Sequence, residues 1–265
     1  MIYLIKEWKE LSRGKGLWLS IMMILFISIF VLLETRTLPS EYGFTIFLLS
    51  LYEMNLFFIP LIGLFISSFS LMQEKELKTL MMLTTKKESY ASFLLKKSIA
   101  IHAITLGIFI SIFLIVAILT KFSFSLHPAH FLYFLAAVSI LLIIFNQIGL
   151  FLGSVCQNRM QLIGANIFTW FFFLYLVDSV FLYFLPDIHF ENVKLFSFFF
   201  FLDPIHANQF FLDTALDVFS LEHMSRLMEN MVWTSPTIFL ILNVLIWVLL
   251  SFGASILWGS KVKTR

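Results

Sequence analysis

Six long apolar stretches, separated by short charged segments, constrain this chain more than any other feature of its sequence. A helix needs roughly 20 apolar residues to cross the hydrocarbon core of a bilayer, and only 13% of the residues here are charged. A soluble domain of this length could not bury so much apolar surface. The sequence therefore predicts one all-α integral membrane domain over residues 1–265. Its six transmembrane helices are expected at Leu17–Leu33, Phe44–Met72, Ser98–Thr120, Ala129–Leu152, Leu162–Leu185 and Thr237–Trp258.

The distribution of basic residues predicts how these helices are oriented. Lysine and arginine concentrate before the first stretch, between the second and third, and after the last. Because cytoplasmic segments carry an excess of these residues, both termini are expected in the cytoplasm. The natural location of such a multi-pass protein is a bacterial inner or plasma membrane. The basic residues then on the outer side are few: Arg36, Lys121, Lys194 and Arg226.

Three segments outside the apolar stretches have a recognisable character. Residues 1–16 alternate apolar and charged side chains, as in an amphipathic helix on the membrane surface. Residues 73–97 form a basic cytoplasmic loop, which either docks a partner or serves only to set the topology. Residues 186–236 form a long outer loop in which Leu195–Leu202 is too short to span and Asp203-Pro204 marks a helix start.

Polar residues inside the apolar stretches are costly and therefore informative. Glu53 lies early in the second stretch, so we expect the span proper to begin at Met54. Asp178 lies in the fifth stretch. It either belongs to a translocation path or forms a buried hydrogen bond between helices. Four amides are expected to bond between helices: Asn146, Gln147, Asn166 and Asn243.

Motifs of catalysis, nucleotide binding and metal binding are missing from the sequence. There is no G-x-x-x-x-G-K-[ST] and no H-E-x-x-H, and Cys156 is the only cysteine. His127 and His130 have no evident further ligands. A methionine series beside His223 is more typical of an interfacial helix than of a Cu(I) site: Met224, Met228 and Met231. We therefore expect a non-catalytic chain that binds no cofactor, metal or nucleic acid and has the lipid bilayer as its surroundings.

The segment Glu74-x-Glu76-x-x-Thr79-Leu80 resembles the ABC-2 family of ABC-transporter permeases, which carry an acidic pair and Gly-Thr-Leu after the second span. Lys96 or Lys97 matches a lysine before the third span, whereas Lys78 replaces the usual glycine. The plan of six spans, basic second loop and long outer loop also matches. The resemblance implies a homodimer bound to two copies of a separate ATP-hydrolysing subunit. Glu74, Glu76, Thr79 and Leu80 would belong to the element that couples ATP hydrolysis to a path at the dimer interface.

Two further motifs resemble the permeases of the nitrous oxide reductase maturation (Nos) system. Those proteins carry an aspartate in an aromatic-rich fifth span, as Asp178 is here, and Asn-Pro before a short outer helix with an arginine. This chain has Asp203-Pro204 and Gln209 at those places. The resemblance implies an extracytoplasmic Nos partner, a role in assembling the copper centres of nitrous oxide reductase, and a sulfur- or copper-related cargo.

Two alternatives stay open at the level of sequence. An ABC exporter of a peptide, drug or lipid would have the same plan. A stand-alone secondary transporter could be built from three plus three inverted repeats, although the two halves show no corresponding broken helices and little intramembrane charge.

Overall fold

A computed structural model describes residues 2–77, 89–218 and 226–261, and all their regular secondary structure is helical. In chain order the α-helices are α1 (Ile2–Arg13), α2 (Lys15–Thr35), α3 (Ser40–Glu76), α4 (Tyr90–Thr120), α5 (Pro128–Val155), α6 (Arg159–Phe171), α7 (Val177–Phe184), α8 (Val193–Leu202), α9 (Pro204–Ala215), α10 (Arg226–Met231) and α11 (Pro236–Lys261). A π-helical segment, Phe172–Leu176, joins α6 to α7 without a break, and a 3₁₀ turn, Leu185–Asp187, ends α7.

Six helical segments within the described residues are long and apolar enough to cross a membrane, which confirms the expected number of spans. They are Lys15–Thr35, Tyr42–Glu76, Tyr90–Thr120, Pro128–Val155, Arg159–Asp187 and Glu229–Gly259. We number them first to sixth. The inner side is the side of the helix ends Lys15, Glu76 and Arg159, and the outer side is opposite.

The second span differs from its expected start. Its helix, α3, is continuous from Ser40 through Glu53 rather than beginning at Met54. A helix of 37 residues is about 55 Å long, which exceeds the roughly 30 Å hydrocarbon core. Glu53 is exposed on the outer part of α3. Burial raises the pKa of Asp213 in α9 to about 6, and the nearby charge of Glu53 contributes to this shift.

The centre of the fold is the close contact between α3 and α5. Gly149 and Gly153, one turn apart on α5, make this approach possible. A Cβ at Gly149 would lie 2.1 Å from Ser67 Oγ, and one at Gly153 would lie 2.8 Å from the Ser68 carbonyl oxygen. Small residues at this spacing allow two membrane helices to pack backbone against backbone.

Hydrogen bonds between helices involve all four of the amides singled out in the sequence. Asn146 donates to Thr105 Oγ1, and Gln147 accepts from Ser98 Oγ. Asn166 donates to Ser68 Oγ, and Asn243 donates to two carbonyl oxygens at the end of α8. Their predicted role between helices is confirmed.

Helices α8 and α9 form a hairpin, residues 193–215, that enters the membrane domain from the outer side and returns. Asn243 and Trp247 of α11 donate to the Leu202 carbonyl oxygen, at 2.9 and 2.8 Å. Trp247 is about 16 Å along α11 from its outer end, so the turn of the hairpin lies beside the middle part of that helix, well inside the membrane domain. The predicted helix start at Pro204 is confirmed.

Candidate functional site

The turn of the hairpin presents an aspartate and a histidine inside the membrane domain. Asp203 is the N-cap of α9, and Pro204 occupies the first helical position, where its missing N–H costs nothing. Asp203 Oδ2 accepts hydrogen bonds from the backbone N–H groups of Ile205 and His206, at 3.1 and 2.9 Å. It also accepts from His206 Nδ1, at 2.7 Å. One carboxylate oxygen therefore fixes both the helix start and the orientation of the imidazole.

Asp178 of α7 completes this cluster from the fifth span. Its Oδ1 lies 3.5 Å from His206 Nε2, so the imidazole stands between two carboxylates. Because two carboxylates face one imidazole, the group Asp178, Asp203 and His206, here called the outer cluster, has a negative formal charge with the imidazole either neutral or protonated.

The fifth span is irregular just before Asp178. The segment Phe172–Leu176, directly ahead of α7, is π-helical, so its backbone hydrogen bonds span five residues instead of four. Such segments often occur at functional sites. Phe181, one turn after Asp178, packs edge-on against the His206 ring at 5.4 Å between centroids. Local helix geometry and aromatic packing thus both position the outer cluster.

A cavity of about 700 Å³ lies between the fifth span and the hairpin, and we call it the outer cavity. Its deep end is formed by Leu202, Asp203 and Trp247, and its outer end by Asp187 and Asn192. The remaining lining is aliphatic or aromatic: Phe172, Phe173, Leu176, Val177, Val180, Phe181, Phe184, Ile188, Leu195, Phe196 and Phe199.

The inner side carries a second group of charges, which we call the inner ion cluster: Lys6, Glu7, Glu74 and Lys97. Lys97 Nζ lies 2.7 Å from Glu7 Oε1 and 3.3 Å from Glu74 Oε1, and Lys6 also pairs with Glu74. Ser70 Oγ donates to the other oxygen of Glu7 at 2.8 Å. Glu7, Glu74 and Lys97 are each no more than 2% exposed.

The inner ion cluster changes the interpretation of the N-terminal helix. The segment is helical as expected, but Glu7 points into the protein, whereas Leu4, Ile5 and Trp8 are exposed. Helix α1 is therefore docked by its charged side on the ends of α3 and α4. Its apolar side is left free for a lipid surface, and that surface location stays a prediction.

The predicted coupling residues separate into three groups. Glu74 is buried in the inner ion cluster. Glu76 is exposed and makes a two-bond pair with Arg159, at the start of the fifth span. Thr79 and Leu80 lie outside the described residues.

The other candidate residues are placed as follows. Asp178, Asp203 and Pro204 meet at the hairpin turn, and Gln209 is half-buried further along α9. His127 and His130 lie 5.5 Å apart between ring centroids, and His130 Nδ1 is 3.1 Å from Thr45 Oγ1. In the methionine series, Met224 and the side chain of Met228 lie outside the described residues.

Two important residues were not singled out from the sequence. His206 follows the cap Asp203 by three residues, a spacing that brings a side chain back to its N-cap, so a local signal existed. Glu7 sits among alternating charges that suggest solvent exposure, and nothing local indicates that it binds Lys97, 90 residues away.

Three carboxylate side chains at the inner side lie close enough together to hold a metal ion: Glu7, Glu10 and Glu74. Lys97 and Lys6 already lie against Glu7 and Glu74, so two of the three carboxylates are paired with lysines of the protein. The inner ion cluster is therefore an electrostatic connection between helices.

Comparison with known proteins identifies no relative: no model of a protein family matches the chain, and no curated protein matches it.

Proposed function

We propose that this chain is the membrane subunit of an ATP-driven transporter, acting as a homodimer with two copies of a separate ATP-hydrolysing subunit. Its six apolar helices are compatible with a transporter subunit. The observation that carries the proposal is the inner ion cluster, because it joins the helices on both sides of the segment that resembles the coupling element of ABC-2 permeases.

The connections at the inner side are suited to transmitting a push. Helix α3 ends at Glu76 and α4 begins at Tyr90, so a force on the intervening residues reaches both helices. Glu74 and Lys97 tie these two helices to each other, and Glu7 adds α1. The Glu76–Arg159 pair extends the connection to the fifth span.

The fifth span leads from this inner layer to the outer cluster. It begins at Arg159, the partner of Glu76, and contains Asp178. A displacement at the inner side would therefore reach the hairpin turn through one helix. We assign the translocation path to the region around Asp178 and the outer cavity.

Within this class we propose a role in the assembly of the copper centres of nitrous oxide reductase, with a sulfur- or copper-related cargo and an extracytoplasmic partner. Its support is the resemblance of two distant motifs, around Asp178 and Asp203, to the permeases of that system. These motifs are brought together by the contact of both aspartates with His206. Export of a peptide, drug or lipid is the alternative cargo class.

A stand-alone secondary transporter is the second candidate, and the outer cluster favours it. Three titratable side chains in contact within a membrane domain could carry protons. Dependence of transport on a proton gradient, with no requirement for ATP, would identify this class.

The first experiment is affinity purification of the tagged chain from its native membrane, followed by mass spectrometry. A soluble ATP-hydrolysing protein in equal amount is expected, together with ATP hydrolysis in reconstituted vesicles. A chain that purifies alone, under conditions that keep known membrane complexes intact, would contradict the proposal.

Coupling through the inner side is tested with Glu76→Lys. This change puts a lysine where an exposed glutamate pairs with Arg159, so the attraction becomes a repulsion. We expect the ATP-hydrolysing subunit to associate more weakly, while the chain still inserts normally into the membrane. Glu191→Lys, an exposed reversal on the outer side, is the matched control and should leave association unchanged. Equal association in both variants would refute the assignment of Glu76 to coupling.

A further inference from the structure

The outer cavity has the size and the walls of a site for an organic molecule. Its volume of about 700 Å³ falls in the range of about 300–1,000 Å³ that is typical of ligand pockets. Aromatic rings form much of its wall, among them Phe181, Phe196 and Trp247. Such walls favour an apolar body, and aromatic faces also attract an organic cation.

The charge at the cavity is negative at both ends. Asp203 lines the deep end and Asp187 lines the outer end, while the described lining contains no lysine or arginine. His206 is held between Asp203 and Asp178, so the group keeps a negative formal charge even with the imidazole protonated. An anionic ligand would therefore be repelled.

One carboxylate oxygen of Asp203 has no partner among the residues that the structure describes. The side chain is 4% exposed, and Oδ2 receives the hydrogen bonds of Ile205 and His206. Oδ1 is buried and has no hydrogen-bond partner among the described residues. A buried acceptor without a partner is costly, and most such atoms in proteins are satisfied. Because Asp203 lines the cavity, its carboxylate favours a ligand that brings a positive charge to the deep end.

We propose that the outer cavity binds a lipophilic organic cation, with the apolar body between the aromatic walls and the positive charge at the deep end, near the Asp203 carboxylate. This inference rests on the proposed function only in naming a cargo class for the same path, and that class belongs to the exporter alternative rather than to the copper-centre role. The binding itself is a property of this chain and requires no ATP-hydrolysing subunit.

The test uses two probes of the same shape and opposite charge, tetraphenylphosphonium and tetraphenylborate. Saturable binding of each is measured to the purified full chain in lipid nanodiscs, with empty nanodiscs subtracted to remove partition into lipid. We expect the cation to bind at least about tenfold more tightly than the anion, as one favourable charge contact predicts. Equal binding of the two ions, or no saturable binding of the cation, would overturn the proposal.

Variants locate the site within the chain. Asp203→Asn removes the charge but keeps a side-chain oxygen that can cap α9, so the fold should persist while cation affinity falls about tenfold. Val180→Trp places a large side chain in the cavity and should abolish binding without changing its charge. Asp217→Asn is the control, since Asp217 is exposed outside the cavity and its positive φ of 57° suits asparagine. Unchanged affinity in Asp203→Asn and Val180→Trp would also overturn the proposal.

The outcome can be separated from that of the proposed function. Cation binding to a chain that purifies without an ATP-hydrolysing subunit would retain the ligand site and remove the ATP-driven class. Association with such a subunit, but without cation binding, would retain the transporter class and remove the ligand site.

Discussion

At the scale of single residues, the least ordinary feature is a lysine enclosed by protein. Lys97 is 0% exposed, and its charge is compatible with burial only because Glu7 and Glu74 lie within ion-pair distance. Removing water from such a group costs several kcal/mol, which the paired carboxylates offset. The arrangement is therefore intolerant of losing one member.

Lys97→Met leaves two buried carboxylates facing each other, and we expect it to lower the free energy of unfolding by about 3–5 kcal/mol. The neighbouring Lys96→Met is the control, because Lys96 is exposed and lies over the Tyr3 ring. Its expected effect is within about 1 kcal/mol. The free energies of unfolding of the two variants are measured in detergent, either by thermal denaturation or by mixed-micelle titration. Similar losses in both variants would show that the inner ion cluster is not what holds α1 in place.

Predictions for single residues were confirmed where the free-energy cost of leaving a polar side chain unpaired in an apolar stretch determines by itself that it must bond. An amide such as Asn146 inside an apolar stretch must find a partner, so bonding between helices followed from its position. The pairing of Glu7 with Lys97 depends on where α1 docks, which is a tertiary property. The same holds for Asp178 and His206, since their contact requires the hairpin to enter the membrane domain.

At the scale of elements, the length and apolar character of each stretch determined the six spans, because lipid leaves the chain few alternatives to a helix. The break at Asp203-Pro204 was also readable from local chemistry. The depth of the hairpin was not, since it is set by Asn243 and Trp247 of a distant helix. The Gly149-x-x-x-Gly153 spacing was present in the sequence as a packing signal, but it does not say that α3 is the partner.

Gly149→Ala tests that contact between α3 and α5. The added Cβ would lie 2.1 Å from Ser67 Oγ and 2.7 Å from the Leu64 carbonyl oxygen, so the helices must move apart. We expect a loss of about 1–3 kcal/mol in stability, measured by thermal unfolding in detergent.

Gly107→Ala in α4 serves as the matched control, since a Cβ there meets nothing within 4 Å. Its better helix propensity predicts no loss or a small gain, up to about 1 kcal/mol. If Gly149→Ala were as stable as Gly107→Ala, the backbone contact between α3 and α5 would not be as close as described.

At the scale of the whole molecule, burial is distributed unevenly among the spans. In the most apolar 18-residue stretch of the second and of the fourth span, 61% of the residues are buried, whereas the fifth span has 6% buried. An apolar helix face alone could simply contact lipid. The fifth span, however, also carries Asp178, whose side chain is 54% exposed. A carboxylate facing lipid is expensive, and such residues normally face a protein or a water-filled cavity.

The proposed homodimer accounts for this exposure if a second copy covers the fifth span. Cysteines are introduced one at a time at Leu182 and Tyr183, which are exposed and do not line the outer cavity, in a Cys156→Ser background, and membranes are treated with a short bismaleimide. We expect covalent dimers from at least one of these positions. Positions on the third span at a similar distance from the outer side, Ile115 and Ile118, are comparably exposed and should yield monomers. Cross-linking confined to the third span would place the interface elsewhere, because two copies related by a two-fold axis must present the same face to each other. The exposure of Asp178 would then have another cause.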